Sequence, residues 1–136
     1  MATKMVLVFR SDLKDTKGGK IRTGKYGTQA SHASGDWFRE RAAQGTPNPD
    51  GTRSVRFSEE ELEWLTDGMH RAICVKVPSE DALMEVYRKA QAAGLTVHLV
   101  TDAGLTQFGE PTRTCLGIGP HNEEKFTEVT GGLELL

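Results

Sequence analysis

The chain has 136 residues, 37% of them hydrophobic and 26% charged, with a formal net charge of −2. This length suits a single domain, residues 1–136, that buries its own core, and the composition excludes disordered and fibrous proteins. No apolar run approaches the roughly 20 residues of a membrane span, and no signal-peptide pattern opens the chain. We therefore expect a soluble cytoplasmic protein without membrane contact.

The first predicted element is a strand over residues 4–10, KMVLVFR, which carries five successive apolar residues. Such a strand is buried on both sides, as in a sheet covered by helices on two faces. A long loop follows over residues 11–24, and loops of this length are often functional or mobile. Residues 1–25 hold seven basic and two acidic side chains, a net charge of +5. This region can hold phosphates, although composition alone favours a solvated lysine-rich loop.

A helix is predicted over residues 25–38. One arc of roughly 60° holds its long polar side chains: Lys25, Gln29, His32 and Asp36. A second stripe holds side chains suited to packing on a sheet: Tyr26, Ala30, Ala33 and Trp37. Beyond it lie residues small enough for another backbone to come close: Gly27, Ser31 and Ser34. The spacing by itself slightly favours an ordinary solvated face over a functional one.

A second long loop, 44–55, precedes a short helix that begins at Ser58. Ser58 and Glu61 have the spacing of a capping box. Leu62 and Leu65 would then face the interior, and the helix would end before Gly68.

A second strand is predicted over residues 71–77, and Ser79 is a suitable N-cap for the helix that follows. Gly94 suits the C′ position of that helix. Its apolar residues at i, i+3, i+4 and i+7 form one stripe: Leu83, Val86, Tyr87 and Ala90.

Two further strands are predicted over residues 95–100 and 113–119, and a short helix over 122–130 has Phe126 and Val129 inward. No helix separates these two strands, which indicates a mixed sheet. Elsewhere strands alternate with helices, so we predict an α/β domain of three layers. Cys74 and Cys115 lie in apolar runs and are interpreted as buried free thiols. No zinc-site spacing occurs.

Asp102 follows the strand 95–100 directly and so lies at its C-terminal end, where ligands bind in open α/β sheets. If that strand is parallel to strand 4–10, Asp102 and His32 lie at the same edge. Taken alone, Asp102 is explained as well by a role as a helix cap or turn residue as it is by a catalytic role. The same holds for Thr106, whose hydroxyl could simply stabilise a turn.

Seven motifs occur in one order along nearly the whole chain: VLVFRSDL (6–13), GKYGTQASHA (24–33), ELEWLTDGMHRAICVKV (61–77), SEDALMEVYRKAQAAGL (79–95), DAGLTQF (102–108), TCLGIGP (114–120) and EKFTEVTGGLELL (124–136). In these motifs the sequence resembles the type 2 peptidyl-tRNA hydrolases, the archaeal and eukaryotic-like class that also occurs in some bacteria and phages.

The resemblance implies hydrolysis of the ester between a peptide, or an N-blocked amino acid, and the 3′ end of tRNA. This reaction recycles tRNA for translation and uses neither a metal nor an organic cofactor. The resemblance also implies a four-stranded mixed sheet with helices on both faces, and a homodimer. By matching motifs, the resemblance implies that six residues occupy the functional positions of the family: Lys25, Gln29, His32, Asp102, Thr106 and Thr114.

Ester hydrolysis needs an activated water, a stabilised oxyanion and a held substrate. We assign Asp102, with Thr106, to orient or activate water, and Lys25 to stabilise the oxyanion or bind a phosphate. His32 is either a proton carrier or a structural hydrogen-bond partner of Asp102, and the sequence does not choose between these roles. No nucleophile with a flanking base motif occurs, which favours direct attack by water.

Substrate binding is assigned to Gln29 and Thr114 and to basic side chains on or beside the first loop: Arg10, Lys14, Lys17, Lys20 and Arg22. Binding of tRNA through these side chains should weaken steeply with salt. The rival hypothesis is a non-catalytic module on the same fold that binds RNA or a protein. Such a module need not keep Lys25, His32, Asp102 and Thr106 together.

The sequence departs from the family pattern in three places. Residues 14–23, KDTKGGKIRT, lengthen the first loop, and this bears on how substrate is presented. Leu105 stands where the family often has Arg, so a weaker phosphate contact is expected there. Gly132 occupies a place that is commonly His.

Overall fold

The computed structural model describes residues 1–105 and 107–136. Its elements in chain order are β1 (Thr3–Arg10), α1 (Thr23–Ala43), β2 (Thr46–Pro47), β3 (Arg53–Ser54), α2 (Glu59–Leu65), β4 (Ala72–Val77), α3 (Glu80–Ala92), β5 (Val97–Asp102), β6 (Thr112–Asn122), a 3₁₀ helix (Glu123–Phe126), α4 (Thr127–Thr130) and β7 (Glu134–Leu135).

The central sheet has five strands in the order β5-β6-β1-β4-β7. β1 is parallel to β4 and antiparallel to β6, and β5 is also antiparallel to β6. The prediction of a mixed sheet is confirmed. β5 runs in the same direction as β1, so the C-terminal ends of both strands lie at one edge. The strand beyond the expected four is β7, a two-residue edge strand with both residues exposed, too short to leave a periodic pattern in the sequence.

Helices cover both faces of the sheet, and β1 contributes to two separate cores. Val6 and Val8 pack with residues of α3 and α4. Met5, Leu7 and Phe9 point to the other face and pack with residues of α1 and α2. Successive side chains of a strand alternate between faces, so an uninterrupted apolar run is required here. The three-layer α/β prediction is confirmed.

The two loops predicted to be structureless both contain paired backbone. Residues 44–55 include the hairpin of β2 and β3. In residues 11–24 an isolated antiparallel bridge joins Lys14 to Lys20. Its turn is held by Asp15, whose Oδ1 accepts from Lys17 N at 2.9 Å and Gly19 N at 2.8 Å. Pairings this short lack the alternating pattern that identifies a strand in a sequence.

The prediction that Leu62 and Leu65 form the inner face of α2 is wrong for Leu62, which is 49% exposed. The inner positions belong to Glu61 and Trp64. Arg41 Nε donates to both carboxylate oxygens of Glu61 at 3.0 Å, and this pairing lets the charge be buried. The capping box of Ser58 and Glu61 is present as predicted.

The predictions for the later helices are confirmed. Ser79 caps α3 by accepting from Ala82 N, and Gly94 has a φ of 74° just after the helix. The stripe of α3 faces the core, with Tyr87 partly buried. Phe126 and Val129 are buried.

The close backbone approach predicted for Gly27, Ser31 and Ser34 occurs elsewhere. A Cβ at Gly27 would meet no atom within 4 Å, whereas a Cβ at Gly117 of β6 would lie 1.8 Å from the carbonyl oxygen of Ala33. The sheet therefore supplies the small residue that lets α1 come close. This contact fixes α1 directly over β6.

Among the described residues, no helix combines the length and hydropathy that crossing a membrane requires.

Candidate active site

Asp102, the last residue of β5, accepts hydrogen bonds from three directions. Lys25 Nζ lies 2.7 Å from Oδ2, and Gln29 Nε2 donates to the same oxygen at 2.8 Å. The backbone N–H of Gly104 donates to Oδ1 at 2.8 Å. The first turns of α1 and the end of β5 are thus joined at one carboxylate, as the parallel directions of β1 and β5 predict.

Gln29 connects Asp102 to the neighbouring strand β6. Its side chain is buried, and its Oε1 accepts from the hydroxyl of Thr114 on β6 at 2.8 Å. An ionised carboxylate only accepts hydrogen bonds, so Gln29 must turn its NH₂ group towards Asp102 and its oxygen towards Thr114. Gln29 and Thr114 are 2% and 0% exposed. Their side chains form a buried chain of hydrogen bonds that ends at Asp102.

The pKa of the Asp102 carboxyl is the balance of opposing effects. Partial burial raises it, but the hydrogen bonds and charge of Lys25, the N–H of Gly104 and the amide of Gln29 together outweigh burial. The pKa therefore lies below its ordinary value of 3.8. Asp102 is an anion at neutral pH, suited to orienting a water and to holding a cation.

Lys25 lies at the centre of the site. Its side chain is only 13% exposed, and its Nζ lies over the ring of Phe108, 5.3 Å from the ring centroid. A cation in this low-dielectric position interacts strongly with negative charge that develops next to Asp102.

His32 is brought near Asp102 but is not bonded to it. It is exposed on α1 and lines a groove of about 420 Å³ together with Gln29 and Asp102. Within the described part of the chain His32 has no hydrogen-bond partner, and the contacts of Asp102 belong to Lys25, Gln29 and Gly104. The alternative in which His32 is a structural hydrogen-bond partner of Asp102 is therefore not realised.

Thr106, predicted to assist Asp102, lies outside the described residues. Its neighbour Leu105 is 89% exposed, so an apolar side chain projects where the family often has Arg.

The basic side chains predicted to bind tRNA divide into two groups. Lys14, Lys17, Lys20 and Arg22 are exposed on the first loop. Arg10 instead donates from Nε and Nη2 to both oxygens of Asp12 at 2.9 Å. This salt bridge compensates the charge of Arg10. The hydrogen bonds from Arg10 also lower the pKa of the Asp12 carboxyl, although burial alone would raise that pKa.

A cleft of about 710 Å³ lies between the first loop and the segment after β5. Its walls hold Phe108 and charged side chains of both signs: Arg10, Lys14, Arg113, Asp12, Asp15, Glu80 and Glu110. Sequence reasoning missed Phe108 and Gly104 as parts of the site. The only sequence signal for Phe108 was an aromatic residue six positions after the catalytic candidate Asp102. A backbone N–H donor such as that of Gly104 has no signal in the sequence, because every residue except proline carries one.

No group of three or more His, Cys, Asp or Glu side chains that could hold a metal ion occurs in residues 1–105 and 107–136. Cys115 is buried, and burial raises the pKa of its thiol to about 12.

Comparison with known families decides the relationship. The sequence model described as "Peptidyl-tRNA hydrolase PTH2" matches residues 3–136. The chain belongs to the PTH2 family. Its resemblance to the type 2 peptidyl-tRNA hydrolases is thereby confirmed across almost the entire length.

Among curated PTH2 relatives, the peptidyl-tRNA hydrolase of Methanothermobacter thermautotrophicus is 40% identical, covering 98% of this chain and 99% of the relative. That of Methanopyrus kandleri is 37% identical, covering 98% and 97%. The mouse protein "Peptidyl-tRNA hydrolase 2, mitochondrial" is 39% identical over 97% of this chain and 62% of the relative. A solved structure of a protein of unknown function from Agrobacterium tumefaciens strain C58 shares the fold, with a TM-score of 0.53, 9% identity and coverage of 100% and 98%.

Proposed function

We propose that residues 1–136 form one peptidyl-tRNA hydrolase domain, which releases tRNA by hydrolysing the ester of its 3′ end to a peptide or N-blocked amino acid. The observation that carries this is the carboxylate of Asp102 held by Lys25 and Gln29 at the sheet edge, beside the exposed lysines of the first loop. Family membership supplies the substrate class.

In the proposed mechanism, water attacks the ester carbonyl directly. Asp102 is fixed at both carboxylate oxygens, so it holds the attacking water in one orientation. Lys25, within hydrogen-bond distance of Asp102, stabilises the oxyanion of the tetrahedral intermediate. His32, exposed in the adjoining groove, takes a proton from the attacking water and delivers it to the leaving 3′ oxygen, so that the peptide acid and a free 3′ hydroxyl are formed. Thr106 retains its proposed role of assisting Asp102 with the water.

Gln29 and Thr114 take a positioning role in this mechanism. A buried chain of hydrogen bonds runs from the hydroxyl of Thr114 through the amide of Gln29 to Asp102. In a low-dielectric interior such a chain fixes the carboxylate more firmly than solvent-exposed bonds would. The two residues therefore act on the reaction without touching substrate.

The biological setting is also proposed. The enzyme acts in the cytoplasm, where it recycles tRNA for translation, and it works as a homodimer without a cofactor. Family resemblance supports these points, and size-exclusion chromatography with light scattering tests the dimer.

The function is tested by incubating the protein with N-acetyl-aminoacyl-tRNA and following free tRNA and released N-acetyl amino acid. We expect turnover with both products formed in equal amounts. A protein that binds the tRNA tightly but releases neither product would support the rival hypothesis of a non-catalytic RNA-binding module.

Replacing His32 with Asn is expected to lower kcat about 100-fold, within the range for general acid–base catalysis. Asn keeps a polar side chain on the exposed face of α1 but cannot accept and release a proton. The measurement is kcat and kcat/KM with N-acetyl-aminoacyl-tRNA at neutral pH.

The matched control is His70→Asn, because His70 lies in a turn far along the chain with a φ of 58°, a conformation that Asn tolerates. A His32→Asn variant that keeps wild-type kcat would remove His32 from the mechanism.

Replacing Lys14, Lys17 and Lys20 together with Ala is expected to raise KM while kcat stays the same. Each phosphate contact contributes about one unit to the slope of log affinity against log salt. The slope for tRNA binding should therefore fall by about 2 to 3. The exposed Lys89 of α3, replaced with Ala, is the control and should leave the slope unchanged. Equal slopes in the triple variant and the control would show that the loop does not hold phosphates.

A further inference from the structure

The ring of Phe108 has no role in the chemistry proposed above, although it contacts a catalytic group. It is half-buried and lines the cleft of about 710 Å³ beside the first loop. Lys25 Nζ lies over one face of the ring. An aromatic side chain in this position offers a flat apolar surface within a few ångströms of the reacting groups.

The residues on either side of Phe108 are held by the first loop. Gln107 O accepts from Thr16 N at 2.9 Å, and Gln107 Oε1 accepts from Arg22 N at 3.2 Å. Gly109, with a φ of 73°, packs so closely that a Cβ there would lie 2.9 Å from Thr16 Cγ2. These contacts fix the backbone on both sides of Phe108 before any ligand arrives, which lowers the entropic cost of binding.

The cleft wall carries charges of both signs: the cations Arg10, Lys14 and Arg113 and the carboxylates Asp12, Asp15, Glu80 and Glu110. Asp12 and Glu80 are paired with Arg10 and Arg113, and Asp15 accepts from backbone N–H groups. Exposed Lys14 thus offers a cation to a ligand, and Lys17 and Lys20 continue along the same loop. Phe108 lines this cleft and also contacts Lys25, which is bonded to Asp102. Phe108 therefore lies between the loop that can hold phosphates and the carboxylate that the ester must reach. The 3′ end of tRNA is unpaired and ends in adenosine, so its terminal base is free to stack.

We propose that Phe108 is the stacking platform for the terminal adenine of the tRNA. The base stacks on the ring face opposite Lys25, and the 3′ ester then reaches Asp102. Unpaired bases are commonly bound in this way, by an aromatic ring next to cationic side chains. The inference rests on the proposed function, since it names the part of that substrate which the cleft holds.

The test compares Phe108→Tyr, Phe108→Leu and Phe108→Ala with the wild type on N-acetyl-aminoacyl-tRNA. Tyr keeps the ring, and Leu keeps an apolar side chain without one. We expect KM to rise about 5- to 100-fold in the Leu and Ala variants and to change little in the Tyr variant. Circular dichroism checks the fold of each variant. If the Ala variant does not fold, the KM values of the Leu and Tyr variants alone decide whether the aromatic ring is needed.

Deacylated tRNA is the second probe, because it lacks the peptide. Its Kd should rise by the same factor in Phe108→Leu as KM does. The control is Phe38→Leu, which removes an exposed ring of α1 that stacks on Phe57 and should leave both constants unchanged.

Three results separate the possibilities. In the first result, the Leu variant keeps wild-type KM and Kd, and only the Ala variant has raised values. Phe108 would then pack against an apolar group such as a peptide side chain, and the proposal would be overturned. Wild-type constants in all variants would overturn it too. If the wild type released no product, the proposed function would fail, while the Kd values for deacylated tRNA would still decide whether Phe108 stacks on a base.

Discussion

Asp102→Asn is expected to lower kcat by about 10²- to 10⁴-fold, the range for loss of a group that activates a reacting water. The change removes the negative charge that orients the water and holds Lys25 at 2.7 Å. The protein should still fold, because the amide of Gln29 can rotate. The oxygen of Gln29 then accepts from the introduced amide, and its NH₂ group donates to the hydroxyl of Thr114, which can donate to Val100 O at 3.2 Å.

Initial rates with N-acetyl-aminoacyl-tRNA and thermal unfolding measure the two effects separately. Asp81→Asn, the same change at an exposed position in the first turn of α3, is the control and should keep wild-type kcat. An Asp102→Asn variant with kcat within a few-fold of wild type would show that the carboxylate is not needed. A large fall in Tm together with the loss of activity would assign the effect to misfolding.

Gly117→Ala is expected to destabilise the fold by about 3 kcal/mol or more, at the upper end for an overpacked core. The new Cβ would lie 1.8 Å from the carbonyl oxygen of Ala33. Because the obstacle is backbone, it cannot rotate away, and α1 must lift from the sheet. Lys25 and Gln29 are on the same helix, so their contacts with Asp102 would weaken and activity should fall as well.

Gly27→Ala is the matched control, since it makes the same change in α1 where a Cβ meets no atom within 4 Å. It should stabilise the protein by up to about 1 kcal/mol, the difference in helix propensity between Ala and Gly. Urea unfolding of both variants gives the two free energies. Equal stability of the two variants would mean that α1 does not approach β6 as closely as described.

Much of the site follows from the sequence because a few rules fix its geometry. Helical periodicity places Lys25, Gln29 and His32 on one side of α1, and a buried strand that ends near Asp102 places that carboxylate at the sheet edge. The parallel directions of β1 and β5 then bring the two groups together. These steps need only local patterns and the preference of ligands for strand ends.

The rest depends on contacts between residues far apart in the chain, which no local pattern encodes. The burial of Gln29 and Thr114 follows from the closeness of α1 to β6, and that closeness follows from Gly117. The inner position of Glu61 depends on Arg41, twenty residues earlier. Likewise the segment that carries Phe108 is bonded to the first loop through Gln107 and Thr16, which lie far apart in the chain.

The strand order has a consequence for how the protein reaches its active form. β6 lies between β1 and β5, and it supplies Thr114, while β5 supplies Asp102 and the helix after β1 supplies Gln29. The first and last thirds of the chain must pair before these three side chains can meet. Pairings between distant segments form slowly because the intervening chain has to be closed into a loop first. A nascent or partly folded chain can already contain helices and exposed lysines, yet it has no hydrolytic centre, so enzymatic competence emerges only with the complete sheet.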